Sequence, residues 1–360
     1  MQRPSLLIAV AMLASGCYDS HRPAADAPAP PSSPARETPD AAVDLSPCGD
    51  GLCAPSGPIP EGAVCHELRN HAPDARDQPF IVNSGEALAC FFYTAPWAES
   101  SALVAWQTEI DSDAMHEWRL IAEGELGARA GADGSVDSAC LGSHPGARLL
   151  AGSYRGGNDV AMPAGVGVQL PPPGSRLTLE WLHLRDGTGT VPDASTVRVC
   201  TLPVAALRSV AGLTILGSED PGVAMGLDRG KHSVSGRCTA SADGPALRLH
   251  MLAPHMRRYG RRIRLSIERA GGERETVLDR RFDYEQQNVL SVTTVVRPGD
   301  TLVTTCDYEI GGSYPVSFGP SVSFEQCYLF AFTAPVGALD NPTFSMFGVL
   351  NHCFDQLAAD

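Results

Sequence analysis

From Cys65 onward the chain is a succession of short strand-like runs broken by Gly, Pro, Asp and Asn, and that punctuation leaves few folds open to it. The stretches 101–106, 176–184, 196–200, 246–252, 262–267 and 301–305 are all of strand length. Arg262-Ile263-Arg264-Leu265-Ser266-Ile267 alternates polar with apolar residues, the two-residue period of a half-buried strand. Long amphipathic helical patterns are scarce. Many strands at turn-like spacing predict an all-β chain of packed sheets. At 360 residues, with 43% hydrophobic and 19% charged residues, the chain has length and core material for two domains. The expectation is two tandem, jelly-roll-like antiparallel β-sandwich domains, 61–205 and 206–360, with the boundary inside 202–210, just after Cys200.

The first 60 residues read differently. Met1-Gln2-Arg3 carries one positive charge, 6–13 is a short apolar run, and Ala14-Ser15-Gly16 supplies small residues before Cys17. This resembles a bacterial lipobox, so 1–17 is expected to be a lipoprotein signal peptide ending at a lipidated Cys17. Acyl chains contribute about 0.8 kcal/mol per buried CH₂, so two or three would hold the chain at a membrane. Tyr18, in place of an aspartate, points to the outer membrane. The stretch 18–60 is rich in Pro and Ala and reads as an extended linker between membrane and folded part. A net charge of −14 argues against nucleic acid as a partner.

Export gives the cysteines meaning. The chain has eleven; setting aside Cys17 leaves ten, an even number in an oxidising compartment. No Cys-x-x-Cys spacing suggests a metal, and Cys48 and Cys53 lie close together beside the linker. Disulfides are the expectation.

The last third carries a series of landmarks: Pro254-His255-Met256-Arg257-Arg258-Tyr259-Gly260, Val296-Arg297-Pro298-Gly299-Asp300, Thr305-Cys306-Asp307-Tyr308 and Phe324-Glu325-Gln326-Cys327-Tyr328. Their order and spacing resemble the carboxy-terminal domain of copper type II, ascorbate-dependent monooxygenases, the family of peptidylglycine α-hydroxylating monooxygenase and dopamine β-hydroxylase. Earlier pieces extend the resemblance over roughly 65–353: Cys90-Phe91-Phe92, Pro96-Trp97, Ala114-Met115-His116-Glu117-Trp118, Met162-Pro163-Ala164-Gly165-Val166-Gly167 and Leu179-Glu180-Trp181-Leu182-His183-Leu184. The resemblance implies the disulfides Cys65–Cys200, Cys90–Cys140, Cys238–Cys353 and Cys306–Cys327, which leaves Cys48–Cys53 as a local extra.

It also implies two copper sites, and both are altered. At the oxygen-activating site His255 stands for the first histidine, Arg257 replaces the second, and Gln326 replaces a methionine. A thioether stabilises Cu(I) and an imidazole donates a lone pair; a guanidinium has none to give. At ~4 Å and an effective dielectric of ~20 its charge would repel Cu(I) by about 4 kcal/mol. His250-Met251-Leu252 supplies no replacement His-x-His. At the electron-transfer site His116 and His183 match two histidines, with Glu117 in place of the third. Two imidazoles and a carboxylate can hold one divalent metal, although strict strand alternation would turn Glu117 away from His116 and toward solvent.

Other clusters give less. Arg257, Arg258, Arg261, Arg262 and Arg264 form a basic patch, read as the polar face and turn of a strand, or as an anion or lipopolysaccharide contact. Asp50-Gly51 lacks the further carboxylates of a calcium loop, and no nucleophile elbow supports a Ser/His/Asp triad. Two functions follow from the resemblance. One is an envelope lipoprotein that keeps the scaffold as a binding or structural module for a small molecule, peptide or envelope protein. The alternative is an active copper monooxygenase that hydroxylates a C–H bond with O₂ and ascorbate or another reductant. It would use His255 and Gln326 at one copper, and His116, Glu117 and His183 at the other. The losses at Arg257, Gln326 and Glu117 favour the module.

Overall fold

The computed structural model describes residues 57–124, 131–138, 140, 146–154, 159–218, 227–312, 315–319, 321–340 and 351–354, all within the compact unit Ser46–Asp360. The leader with Cys17, the linker up to residue 56 and the Cys48–Cys53 pair lie outside the described residues.

The strands of the amino-terminal half are β1 (Val64–Arg69), β2 (Phe80–Val82), β3 (Gly85–Thr94), β4 (Ser101–Glu109), β5 (Met115–Ala122) and β6 (Val136–Asp137). They continue with β7 (Arg148–Tyr154), β8 (Val160–Ala161), β9 (Val166–Gln169), β10 (Arg176–Arg185), β11 (Val191–Asp193) and β12 (Thr196–Pro203). A 3₁₀ turn, Val204–Ala206, leads to β13 (Ser209–Ser218), β14 (Gly230–Thr239), β15 (Leu247–His255), β16 (Gly260–Glu268) and β17 (Arg274–Arg281). Last come β18 (Leu290–Val296), β19 (Thr301–Ile310), β20 (Cys327–Ala334) and β21 (His352–Cys353). No α-helix occurs among the described residues. The chain is an all-β sandwich protein.

Three sheets make the layers. A five-stranded sheet runs β6-β3-β10-β5-β7, and a four-stranded sheet runs β14-β19-β16-β17. Between them in the packing is a ten-stranded sheet, ordered β1-β12-β4-β9-β13-β20-β15-β18, with β8 beside β4 and β21 beside β13. It crosses from one half of the chain to the other through the parallel pairing of β9 with β13.

β20 shows why this works. All eight of its residues are buried, the signature of a strand covered on both faces. Tyr328, Phe330 and Phe332 point into a core shared with the first half, while Cys327, Leu329 and Ala331 point into the core of the second. On β16 the alternation read from sequence holds in part: Ile263, Leu265 and Ile267 are buried in the second core. Arg262 forms a two-bond ion pair with Asp279 on β17, and Arg264 reaches Asp307 on β19. Ser266, beside a register shift, is buried as well.

Four disulfides staple the sheets: Cys65–Cys200, Cys90–Cys140, Cys238–Cys353 and Cys306–Cys327. They are the pairs the resemblance implied. Cys65 and Cys200 face each other across β1 and β12. Bridges of this number belong to a chain that folds outside the reducing cytoplasm.

Candidate functional site

The candidate residues sit where the outer face of the five-stranded sheet meets the end of β15. Glu117 and Arg119 lie two apart on β5 and share a face. Tyr154 on β7 is the register partner of Glu117, and Glu180 on β10 that of Arg119. Such a polar row would ordinarily face water. Here Glu117 and Glu180 are 3% and 0% exposed, because the second half covers them.

Alternation would turn the adjacent His116 and Glu117 to opposite faces, and a β-bulge brings both toward the second half. His183 pairs with Met115 and Leu182 with Glu117, so His116 is the extra residue opposite that step. A bulge locally breaks the up-and-down order of side chains. Met115, His116, Glu117 and Trp118 are all buried, between the first core on one side and the second half on the other. Trp118 turns inward and donates its indole N–H to Thr108 Oγ1 at 2.9 Å.

His255 and Arg257, two apart, both face the first half, while Met256 between them enters the second core. The His255 ring stacks on Tyr154 with centroids 4.0 Å apart. Arg257, 1% exposed, donates from Nη1 to Glu117 Oε2 at 2.8 Å. Thus Arg257 of the second half and Glu117 of the first form a buried ion pair. Arg119 extends it, with Nη2 2.8 Å from Glu180 Oε2 and Nε 3.9 Å from Glu117 Oε1. Burial alone would push the Glu117 carboxyl up; the charges of Arg257 and Arg119 outweigh it and hold the group at about 2.

Gln326, beside the Cys306–Cys327 bridge, meets His255. His255 Nε2 lies 2.6 Å from Gln326 Oε1, and Nδ1 lies 2.7 Å from Gln287 Oε1. The Gln326 amide donates in turn to Gly319 O at 2.8 Å. Both ring nitrogens are engaged by amides. Burial, helped by the Arg257 charge, lowers the imidazole to about 3; the neutral ring carries one N–H and so donates to one of the two amide oxygens only. Glu325, next in the chain, accepts backbone N–H bonds from Arg257 and Tyr259 at 3.1 and 2.7 Å. Its burial raises the carboxyl to about 7.

The first-half residues separate. His116 Nε2 pairs with the Tyr284 hydroxyl from the second half. His183, fully buried, instead places Nε2 2.8 Å from Asp193 Oδ2 and stacks on Phe80. Asp193 is held by Asn70 Nδ2 at 2.7 Å and by the Ser195 backbone N–H and hydroxyl. Burial would raise its carboxyl, but these bonds keep it below its usual value. A carboxylate behind an imidazole is how metal-bound histidines are oriented, and Nδ1 of His183 has no hydrogen-bond partner among the described residues. Even so, no group of three His, Cys, Asp or Glu side chains able to hold a metal occurs among the described residues.

The donor sets do not fit copper. One has its imidazole held by two amides beside a guanidinium, and the other has its carboxylate committed to that guanidinium. The basic patch also dissolves on inspection: Arg257 is buried, Arg262 and Arg264 are ion-paired, and Arg261 lies 3.6 Å from Glu309. Sequence reading missed Tyr154, Arg119, Glu180, Tyr284, Gln287 and Asp193. Only Glu180 lay inside a quoted motif, and none had a spacing that named its partner.

No family model matches the chain, and no curated protein matches it. Among solved structures, a protein from Parabacteroides distasonis described as secreted aligns at 8% identity over 78% of this chain and 91% of its own, with a TM-score of 0.18. Allantoicase aligns at 9% over 59% of this chain and 74% of its own, with a TM-score of 0.18. The infectious bursal disease virus Gx strain structure aligns at 11% over 80% and 76%, with a TM-score of 0.16. At such scores the likenesses carry no argument about fold or function.

Proposed function

We propose that this protein is a non-catalytic module on a copper type II, ascorbate-dependent monooxygenase-like scaffold, anchored as a lipoprotein through Cys17 to the outer membrane. The observation that carries the reading is the buried Arg257–Glu117 pair. In the resemblance these positions belong to two different copper sites, one in each half. Filled by a cation and an anion 2.8 Å apart, they join the halves instead of each holding a metal. A guanidinium offers no lone pair, and a carboxylate neutralised by it is a poor donor to a second cation. Sheet packing and disulfides hold such a scaffold without metal, and a fold does not dictate a chemistry. The anchor rests on the sequence around Cys17 and on the four disulfides, which fit an exported chain.

The test loads the purified protein with Cu(II), reduces it with ascorbate, and counts bound metal while following oxygen uptake. The expected result is no copper retained after reduction and no oxygen uptake, from a fully folded protein. Two coppers per chain that survive reduction, with oxygen consumed, would return the protein to the monooxygenases. Metabolic labelling with a fatty acid, lost on Cys17→Ala, checks the anchor separately.

A further inference from the structure

Away from the Arg257–Glu117 interface, one corner of the ten-stranded sheet has a groove of about 490 Å³. Four neighbouring strands reach it at the same end of the sheet: the start of β13, the end of β20, the start of β15 and the end of β18. Its walls include Ser209, Val210, Leu247, Arg248, Val295 and Pro335. Register places Arg248 opposite Ala334 on one side and Val295 on the other, so these three side chains form one row on one face. Ala334 belongs to the core shared with the first half, and at Val295, 38% exposed, the same face lies open.

Arg248 is out of keeping with that row. It is the charged residue of the lining, no acid accompanies it, and among the described residues it has no ion pair or hydrogen bond. Three arginines on open sheet faces of this half are handled differently: Arg262, Arg264 and Arg237 each pair with a carboxylate on another strand of the same sheet. Arg248 thus leaves a fork of donors at one end of an apolar trough. Burial, and after it the Arg248 charge, lowers the nearby His250 imidazole. Volumes of about 300–1,000 Å³ suit small ligands, and apolar walls with one fixed polar group orient them. A guanidinium favours carboxylate through two parallel N–H bonds.

The geometry points to a binding site for a small amphipathic carboxylate, with the acid on Arg248 and the apolar tail along Val210, Val295 and Pro335. This site is independent of what occupies the altered metal positions.

Titration calorimetry of the full chain with octanoate, kept below its micellar range, tests it. One octanoate should bind per chain, with acetate and octylammonium at least about tenfold weaker, since one charge-assisted bond is worth about that factor. Arg248→Gln and Val295→Asp, both at exposed positions, should each weaken octanoate about tenfold while leaving the unfolding midpoint in place. Octanoate that fails to saturate, or binds Arg248→Gln and Val295→Asp as tightly as wild type, overturns the site. Octylammonium binding as well as octanoate would reduce it to an apolar patch and overturn the assignment of a carboxylate.

Discussion

Removing the Arg257 charge gives the sharpest test of how the two halves are joined. At the 2.8 Å separation of Arg257 and Glu117, two unit charges attract by about 6 kcal/mol at an effective dielectric of 20. Most of that offsets the cost of taking both groups out of water. The net is therefore small, while the cost of orphaning one partner is large. In Arg257→Met the Glu117 carboxylate stays buried, cushioned by Arg119 at 3.9 Å. The loss should lie near the lower end of the range for broken buried pairs, about 3 kcal/mol. Glu117→Leu should cost as much or more, because it leaves the guanidinium buried. The double replacement should return to within about 1 kcal/mol of wild type, giving a coupling of about 5 kcal/mol. Urea unfolding read by tryptophan fluorescence measures all four proteins; Trp106, Trp118 and Trp181 are buried in the first core. Acid pH adds a second readout with opposite signs. Wild-type Glu117 sits at about 2 against an ordinary 4.5, so its contribution is present above 4.5 and lost as pH falls toward 2. In Arg257→Met the group loses its largest charge partner, titrates higher, and the penalty should shrink as pH falls. Single substitutions that each cost less than about 1 kcal/mol and simply add would refute the joint.

His255→Gln isolates a second titration. The wild-type imidazole is held at about 3 against 6.5, so its neutral form contributes stability above pH 6.5 that is lost on acidification, about 3 kcal/mol by pH 4. Glu325, raised to about 7, acts in the opposite direction but is common to both proteins and cancels in their difference. The stability gap between wild type and variant should therefore close by about 3 kcal/mol from pH 7 to pH 4; a constant gap would mean that His255 is not held neutral. Gly236→Ala should unfold the second half: a Cβ there would lie 1.5 Å from the Gly217 carbonyl oxygen, where β14 passes β13, and backbone cannot step aside. A loss of about 3 kcal/mol or more in thermal unfolding is expected, against less than about 1 kcal/mol for Gly271→Ala, which meets open space.

The sequence by itself determined the material of this fold. Short runs with a two-residue period can only be strands, and residues such as Ile263, Leu265 and Ile267 already declared which side faces a core. It also determined that Arg257 offers no lone pair to a metal, which is a fact of side-chain chemistry. What it could not determine is where those side chains went. Alternation placed Glu117 on the outer face of its sheet and so in solvent, and the second half of the chain, packed over that face, buried it. Which face of a sheet is covered depends on distant chain, which a local pattern does not contain. The same holds for the Arg257–Glu117 pair, 140 residues apart. Read alone, each was a lone charged residue in its own half. Only the packing of β15 against the outer face of the five-stranded sheet made them each other's counter-ion, because burial forbids either charge to remain without the other.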